Sequence, residues 1–271
     1  MRAPAPAKIN LALVVGPLRE DGKHELVTVY QRLGLADRID VTPAAGLRVD
    51  GFPGDSLVRG ALEALAARAG VEPRWHATIE KRLPVAAGLG GGSSDAATAL
   101  RLANETLSEP LPPETLHELA AGVGADVPFF LAEGPQLGTG DGTTLAPLEL
   151  PQDFWVLLVL PRDAEKPSTA SVYAAFDERD GARGWEERRD ALLETLARVR
   201  RPRDLAALPR SDLARSSLTD ELLALGAFRA DVSGAGPIVY GLFHHRPAAE
   251  AAKRAMKRSG GTWITAPAWY G

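Results

Sequence analysis

One segment of the chain combines closely spaced glycines with hydroxyl and carboxyl side chains: GLGGGSSD, residues 88–95. Glycine lets a ligand approach the backbone closely, but ordering it on folding costs conformational entropy. A dense run of glycines therefore needs a reason beyond an ordinary turn. Small helix formers follow, and the free N–H groups and positive dipole end of a helix N-terminus suit an anion. We therefore predict a phosphate-binding loop rather than a mobile, capped glycine turn. Its predicted residues are Pro84, Ala86, Gly88, Gly90, Gly91, Gly92, Ser93 and Ser94.

The spacing of the glycines excludes two familiar phosphate sites. The pattern G-x-x-x-x-G-K-[ST] is absent because no lysine follows the glycines, and in the dinucleotide pattern Ser93 stands where the third glycine belongs. The protein-kinase motifs are also missing. The hydroxyl of Ser93 or Ser94 is a candidate ligand for a hard cation such as Mg²⁺.

Two other segments place polar residues in apolar surroundings. APAKINLAL (residues 5–13) sets Lys8 and Asn10 in a strand pattern, and GADVPFFL (124–131) sets Asp126 among small and aromatic residues. Taken singly, the lysine is typical of a strand edge and the aspartate of a helix cap. Beside a phosphate loop they suggest a pair around a substrate hydroxyl, because phosphoryl transfer needs a cation and a residue that takes or orients a proton. A nearby ammonium keeps the carboxylate ionised.

Composition and charge exclude several classes of protein. The 271 residues contain no cysteine, so a disulfide, a thiolate metal site and a cysteine nucleophile are impossible. The formal net charge is −4, which argues against a nucleic-acid or anionic-membrane partner. The chain has no run of 18 apolar residues and no signal-peptide pattern, so we expect a cytoplasmic protein.

Hydrophobic periodicity predicts a mixed α/β chain. Strands are expected over 6–15, 24–33, 36–42, 74–82, 154–160, 231–243 (two strands around a glycine turn) and 262–266, with turns at Gly34 and over 138–142. Helices are expected over 56–69, 94–107, 115–121, 169–178, 187–200 and 247–258, the first capped by Asp55 or Ser56. The segment 147–153 predicts a boundary between a first domain, 1–150, and a second, 151–271.

Four motifs in order resemble the GHMP small-molecule kinases, a family that includes galactokinase and the homoserine and mevalonate kinases. The motifs are PAKINL at 6–11, PVAAGLGGGSSDAA at 84–97, GADVPFF at 124–130 and VSGAGP at 232–237. Together with REDGKHEL at 19–26, they are most similar to the members that phosphorylate the 2-hydroxyl of a cytidyl diphosphate sugar alcohol in non-mevalonate isoprenoid synthesis.

The resemblance implies a two-domain α+β fold with the active site between the domains. The N-terminal domain would contain a βαβ phosphate-binding unit, and the C-terminal domain would be a ferredoxin-like α/β sandwich. It also implies that Lys8 and Asp126 are catalytic and that the glycine loop binds ATP with Mg²⁺. The implied substrate-binding residues are Asn10, His24, Thr169, Tyr173, Ser233 and Gly234.

The cytidine end of the implied site departs from the family at one position. His24 matches the residue that recognises cytosine, and Tyr173 matches an aromatic that stacks on the base. Relatives often carry an aromatic residue just before the histidine, where this chain has Lys23. We therefore expect one face of the base to be uncovered, or covered by the aliphatic stem of the lysine.

Three alternative functions stay open at this point. A homoserine or mevalonate-type kinase would share the loop and the Lys8–Asp126 pair but would not bind cytidine. A dinucleotide-dependent oxidoreductase is disfavoured by the broken glycine fingerprint. A non-catalytic binding module is disfavoured by the presence of both charged residues and by the acidic balance.

Overall fold

Two β-sheets, each packed against helices, form the protein in a computed structural model that describes residues 1–162 and 168–268. Its strands are β1 (Arg2–Leu18), β2 (His24–Pro43), β3 (Arg48–Asp50), β4 (Trp75–Glu80), β5 (Gln136–Thr139), β6 (Thr144–Pro147), β7 (Trp155–Pro161), β8 (Arg229–Val232), β9 (Val239–Phe243) and β10 (Gly260–Thr265). Its helices are α1 (Leu57–Ala69), α2 (Gly91–Asn104), α3 (Pro113–Val123), α4 (Val127–Leu131), α5 (Thr169–Glu178), α6 (Trp185–Arg198), α7 (Leu218–Ala224) and α8 (Arg246–Met256), with a 3₁₀ helix at Pro202–Ala207.

The first sheet is built on two long strands, β1 and β2, which pair antiparallel from Leu18 and His24 to Arg2 and Asp40. Its order is β3-β4-β2-β5-β6, with β1 also pairing with β2. The predicted turn at Gly34 is wrong, because β2 runs through this residue. The Gly34 N–H donates instead to the carbonyl of Ala266 at 2.9 Å, so the strand is held by the C-terminal part of the chain where a turn was expected.

A βαβ unit in the first sheet leads into the glycine loop. Helix α1 connects β3 to β4, which are parallel, and the loop follows β4 and ends in α2. Of the two predicted caps of α1, Asp55 makes the capping bond, accepting from the Val58 N–H at 2.9 Å. The buried residues of α1 recur at helical spacing and are Val58, Ala61, Leu62, Leu65 and Ala66.

The second sheet has the order β10-β7-β9-β8, and every neighbouring pair is antiparallel. Numbered along the chain from β7, this is 4-1-3-2, with helices between the first and second strands and between the third and fourth. The ferredoxin-like arrangement of this half is therefore confirmed. The boundary near residue 150 stays a prediction, although the first sheet ends at Pro147 and the second begins at Trp155.

One hydrophobic cluster joins the two halves: it includes Leu11 and Val14 of β1 together with Leu158 of β7 and Tyr240 of β9. Helix α6 packs over β1 so closely that a Cβ on Gly16 would lie 2.6 Å from the Trp185 ring. Within the described residues, no helix is long and apolar enough to cross a membrane.

A buried arginine ties the second sheet to β1. The guanidinium of Arg229 pairs with Asp231 at 3.3 Å and donates to three carbonyls in the segment 205–209 and to the Leu11 carbonyl at 2.6 Å. Both side chains of the pair are only 3% exposed. A buried charge is tolerated only when such partners replace its lost hydration.

The first prediction concerns this pair. Arg229→Met should lower the free energy of unfolding by about 3–5 kcal/mol, because Asp231 would be left as a buried, uncompensated charge. Urea denaturation measures the change. The control is Arg198→Met, which removes an ion pair with Glu194 whose side chains are 79% and 69% exposed and should leave the midpoint unchanged. Equal effects of the two substitutions would contradict the importance of the buried pair.

Candidate active site

A cleft of about 580 Å³ lies where the two halves meet, with the glycine loop on one side. The predicted site residues that line it are Lys8, Asn10, Pro84, Ala86, Gly88, Gly90, Gly91, Gly92, Ser93, Asp126, Thr169, Tyr173 and Gly234. Three further predicted residues, His24, Ser94 and Ser233, are buried beside it and are absent from the described lining. The fold thus brings the separate sequence motifs to a single cleft.

A lysine–aspartate pair lies in the cleft, as the sequence suggested. Lys8 Nζ is 3.1 Å from Asp126 Oδ2 and donates to Asn10 Oδ1 at 2.8 Å. The lysine side chain is 5% exposed and the aspartate 31%, so the ammonium is buried while the carboxylate is open to the cleft. Asp126 occupies the N-cap position of α4 but makes no side-chain capping bond, so the helix-cap interpretation does not account for it.

Asn10 is fixed by groups from both halves of the protein. Its Nδ2 donates to Thr28 Oγ1 at 2.7 Å, and its backbone N–H donates to Ser233 Oγ at 3.3 Å. The Ser233 hydroxyl in turn donates to the Gly88 carbonyl at 3.1 Å. Ser233 is completely buried, and its contacts connect β1 to the glycine loop. Its contact with substrate stays a prediction.

The loop needs glycine where it meets other parts of the protein. Gly88 has a φ of +86°, and a Cβ there would lie 2.8 Å from the Gly236 carbonyl oxygen. Gly90 has a φ of +69°, and a Cβ there would lie 2.9 Å from Phe130 and 3.1 Å from Lys8 Cγ. A side chain at either position would push the loop away from the second half or from Lys8 and Phe130.

Helix α2 begins at Gly91, three residues earlier than predicted, so the last two loop glycines and Ser93 form its first turn. Its N-cap is Gly90, which has no side chain to occupy the free N–H groups. Ser93 lines the cleft, whereas Ser94 is completely buried and its hydroxyl has no hydrogen-bond partner among the described residues. Ser93 is therefore the better placed of the two candidate Mg²⁺ ligands.

Sequence reasoning missed a charged cluster at the far end of the loop. Lys81 Nζ bonds to Asp37 and, at 2.8 Å, to Asp95 Oδ2. Burial raises the pKa of Asp95 to about 7, and the Lys81 ammonium only partly offsets this. The second oxygen of Asp95 is buried without a hydrogen-bond partner in the described residues, and both Lys81 and Asp95 line the cleft. The sequence signal that could have revealed Lys81 and Asp95 is their position, because one precedes the glycines and the other follows them.

At the other end of the cleft, the two predicted cytidine residues contact one another. The rings of His24 and Tyr173 stack with centroids 5.0 Å apart, and Tyr173 also lines the cleft. His24 Nδ1 is 2.9 Å from the Gly16 carbonyl and Nε2 is 3.3 Å from Asp177 Oδ1, so both ring nitrogens already have partners. Burial, with a smaller effect from Asp126, raises the pKa of Tyr173 to about 12, so its ring is uncharged at neutral pH.

Lys23 extends away from the position expected for a stacking partner. Its Nζ pairs with Asp141 Oδ2 at 2.5 Å, across the turn between β5 and β6. Asp141 lines the cleft, whereas Lys23 does not appear in its described lining. The Lys23 ammonium is thus paired with Asp141, and Tyr173 is the aromatic residue beside His24 that lines the cleft.

Comparison with known proteins agrees with this geometry. The family described as GHMP kinases N terminal domain matches residues 56–134, and that described as GHMP kinases C terminal matches 216–262. The 4-diphosphocytidyl-2-C-methyl-D-erythritol kinase of Desulfitobacterium hafniense (strain Y51) is 37% identical over 96% of this chain and 93% of its own length. The chain belongs to this kinase family.

Comparison with solved structures supports both the fold and the kinase family. A crystal structure of 4-(cytidine 5'-diphospho)-2C-methyl-D-erythritol kinase is 33% identical, with a TM-score of 0.79 over the whole of both chains. The Methanococcus jannaschii mevalonate kinase has a TM-score of 0.76 over 100% of this chain and 98% of its own, at 12% identity. The second likeness shows the fold alone, whereas the first includes the sequence of this kinase family.

The second prediction concerns the buried carboxyl of this kinase. Because the pKa of Asp95 is raised in the folded state, folding retains a proton that the unfolded chain releases, and stability falls as pH rises from about 4 to about 7. Asp95→Asn stays neutral and should remove this loss. Relative to wild type, the free energy of unfolding of this variant should rise by about 2–3 kcal/mol between pH 5 and pH 8.

Urea denaturation at both pH values provides the measurement. The control is Asp153→Asn, at an exposed position, which should follow the wild-type pH dependence. An Asp95→Asn curve parallel to wild type would contradict the assigned titration.

Proposed function

We propose that the protein transfers the γ-phosphoryl group of ATP to the 2-hydroxyl of 4-diphosphocytidyl-2-C-methyl-D-erythritol, in the non-mevalonate synthesis of isoprenoid precursors. The observation that carries this proposal is the 3.1 Å contact between Lys8 and Asp126 beside the N-terminus of α2 in one cleft. The relatives named above supply the substrate, since they are kinases of this cytidyl compound.

In the proposed reaction, Asp126 takes or orients the proton of the substrate hydroxyl. The hydroxyl oxygen forms a bond to the γ-phosphorus, and the bond from that phosphorus to the bridging oxygen breaks with its electron pair left on ADP. Lys8 pairs with Asp126 and stabilises the negative charge on the phosphoryl group. Asn10 accepts a hydrogen bond from the ammonium at 2.8 Å and so helps to hold it in place. The three side chains therefore act on both ends of the bond that forms.

The nucleotide phosphates fit the loop. The first turn of α2 presents backbone N–H groups and the positive end of a 14-residue helix dipole, with no side-chain cap bond at Gly90 to compete for them. Beyond the loop, the cleft is lined by Phe52, Leu57 and Lys81, which leaves room for the rest of the nucleotide. The loop thus binds phosphate through its backbone, which explains why no lysine follows the glycines.

A magnesium ion fits the same cleft through oxygen donors. Ser93 and Asp126 both line it, and within residues 1–162 and 168–268 no group of three or more His, Cys, Asp or Glu could form a separate metal cage. Mg²⁺ commonly uses one or two protein ligands with substrate phosphates. When bound, it neutralises charge on the phosphate oxygens. Ser93 is the proposed protein ligand.

The third prediction tests the substrate. ADP release should occur with ATP, Mg²⁺ and 4-diphosphocytidyl-2-C-methyl-D-erythritol, and not with homoserine or mevalonate. CMP should bind to the free enzyme, because Tyr173 offers an aromatic face in the cleft. Turnover of homoserine or mevalonate alone would agree with the proposed roles of the phosphate loop and the Lys8–Asp126 pair but would contradict the cytidine site. No turnover of any of the three would contradict the proposed function.

The fourth prediction tests the catalytic pair. Lys8→Ala should lower kcat by about 10²–10³, since it removes a preorganised cation from the reacting group. Asp126→Asn should lower kcat by roughly 10² or more, with ATP binding retained. Steady-state kinetics and nucleotide titration measure both effects. The control is Lys257→Ala, an exposed lysine at the end of α8, which should keep wild-type kcat. Near-wild-type turnover by either active-site variant would overturn its role.

A further inference from the structure

Tyr30 is the second hydrogen-bond donor to the cleft carboxylate. Its Oη donates to Asp126 Oδ1 at 3.2 Å, while Lys8 Nζ contacts Oδ2 at 3.1 Å. One donor on each oxygen fixes the plane of the carboxylate and leaves the remaining lone pairs for a substrate. Nothing in the sequence motifs pointed to Tyr30, which lies within the apolar pattern of β2.

The tyrosine ring has little freedom to move. It stacks on Phe129 with centroids 4.8 Å apart, and the Lys8 ammonium lies 5.3 Å from its centroid. On another side it meets the glycine turn between β5 and β6. A Cβ on Gly138 would lie 2.6 Å from Tyr30 Cε2, and a Cβ on Gly142 would lie 2.9 Å from the phenolic oxygen. The glycines of this turn therefore make the space that the tyrosine fills.

The turn itself is anchored. Asp141 accepts hydrogen bonds from the Thr143 hydroxyl at 2.6 Å and the Thr143 N–H at 3.2 Å, and it pairs with Lys23. The GTGDG segment, residues 138–142, thus supports the tyrosine from a fixed position.

The phenol of Tyr30 is suited to donate a hydrogen bond to Asp126 over a wide pH range. Burial, together with the charge of Asp126, raises the pKa of Tyr30 well above its ordinary value. The hydroxyl therefore stays protonated across the pH range in which a kinase is assayed. It can orient the carboxylate without competing for the substrate proton.

We infer that Tyr30 is a positioning residue for Asp126 and that the glycine turn over residues 138–142 holds Tyr30 in its working position. The inference rests on the proposed function in that Asp126 must take or orient the proton of the accepting hydroxyl. Tyr30 acts through Asp126: its hydroxyl sets the direction of the carboxylate lone pairs toward the cleft.

Tyr30→Phe tests this with the loss of a single oxygen atom. A hydrogen bond to a charged group corresponds to about a tenfold effect or more, so kcat should fall about tenfold. KM for ATP and for the alcohol should stay within about twofold. In an Asp126→Asn background the same substitution should cause no further loss of kcat, because its effect passes through the carboxylate.

Two glycine variants test the turn as a matched pair. Gly142→Ala and Gly140→Ala both place a side chain at a left-handed backbone position, with φ of +99° and +68°. Only the first meets the Tyr30 hydroxyl, whereas the second meets the flexible end of Arg19. Gly142→Ala should lower kcat about as much as Tyr30→Phe, and Gly140→Ala should keep kcat within about twofold of wild type at a similar loss of thermal stability.

All ratios are measured on whichever alcohol of the substrate panel the wild-type enzyme phosphorylates, so the identity of the substrate is decided separately. Wild-type kcat in Tyr30→Phe would overturn the inference, as would an equal loss in the Asp126→Asn background. A raised KM with unchanged kcat would also overturn it, since Tyr30 would then bind ligand. Equal kcat losses in the two glycine variants would overturn the part that concerns the turn.

Discussion

A lysine ammonium buried in the middle of a strand is the constraint on which the rest of the site depends. Lys8 has lost nearly all contact with solvent, so its charge must be matched by Asp126 and Asn10 within the protein. The carboxylate comes from the start of α4, more than a hundred residues away in the chain. The pair therefore forms only when the first half folds, and the exposed part of the carboxylate lines the cleft.

The second half contacts the backbone of the glycine loop and of β1. Gly88 fits against the turn that follows β8, and Ser233 of that turn bonds both to the loop and to the strand that carries Lys8. Arg229 adds a bond to the Leu11 carbonyl on the same strand. The glycine loop, β1 and the second sheet thus form one packed unit. This rigidity matters because phosphoryl transfer depends mainly on positioning and electrostatics.

Sequence reasoning found those residues of the candidate site whose chemical type is unusual for their surroundings. Lys8 and the glycines were found this way, because an ammonium in an apolar strand and a dense glycine run both need a reason. Tyr30 and Lys81 were missed, since a tyrosine in a strand and a lysine at a strand end are ordinary, and only the tertiary contacts show what they meet. Gly34 illustrates the opposite error: its residue type suggested a turn, but the strand continues through it and a distant segment bonds to it.

We propose that the end of the cleft beside His24 and Tyr173 selects the base by hydrogen bonds, because an aromatic face stacks on any base. One face of Tyr173 is occupied by His24, and Lys23 is paired with Asp141. Selectivity requires polar groups that would stay unpaired with the wrong base. His24 Nδ1 is held by a buried backbone carbonyl, whereas Nε2 is held only by Asp177, whose side chain is 53% exposed. Nε2 is therefore the ring atom that can exchange its partner for a base at the lower cost.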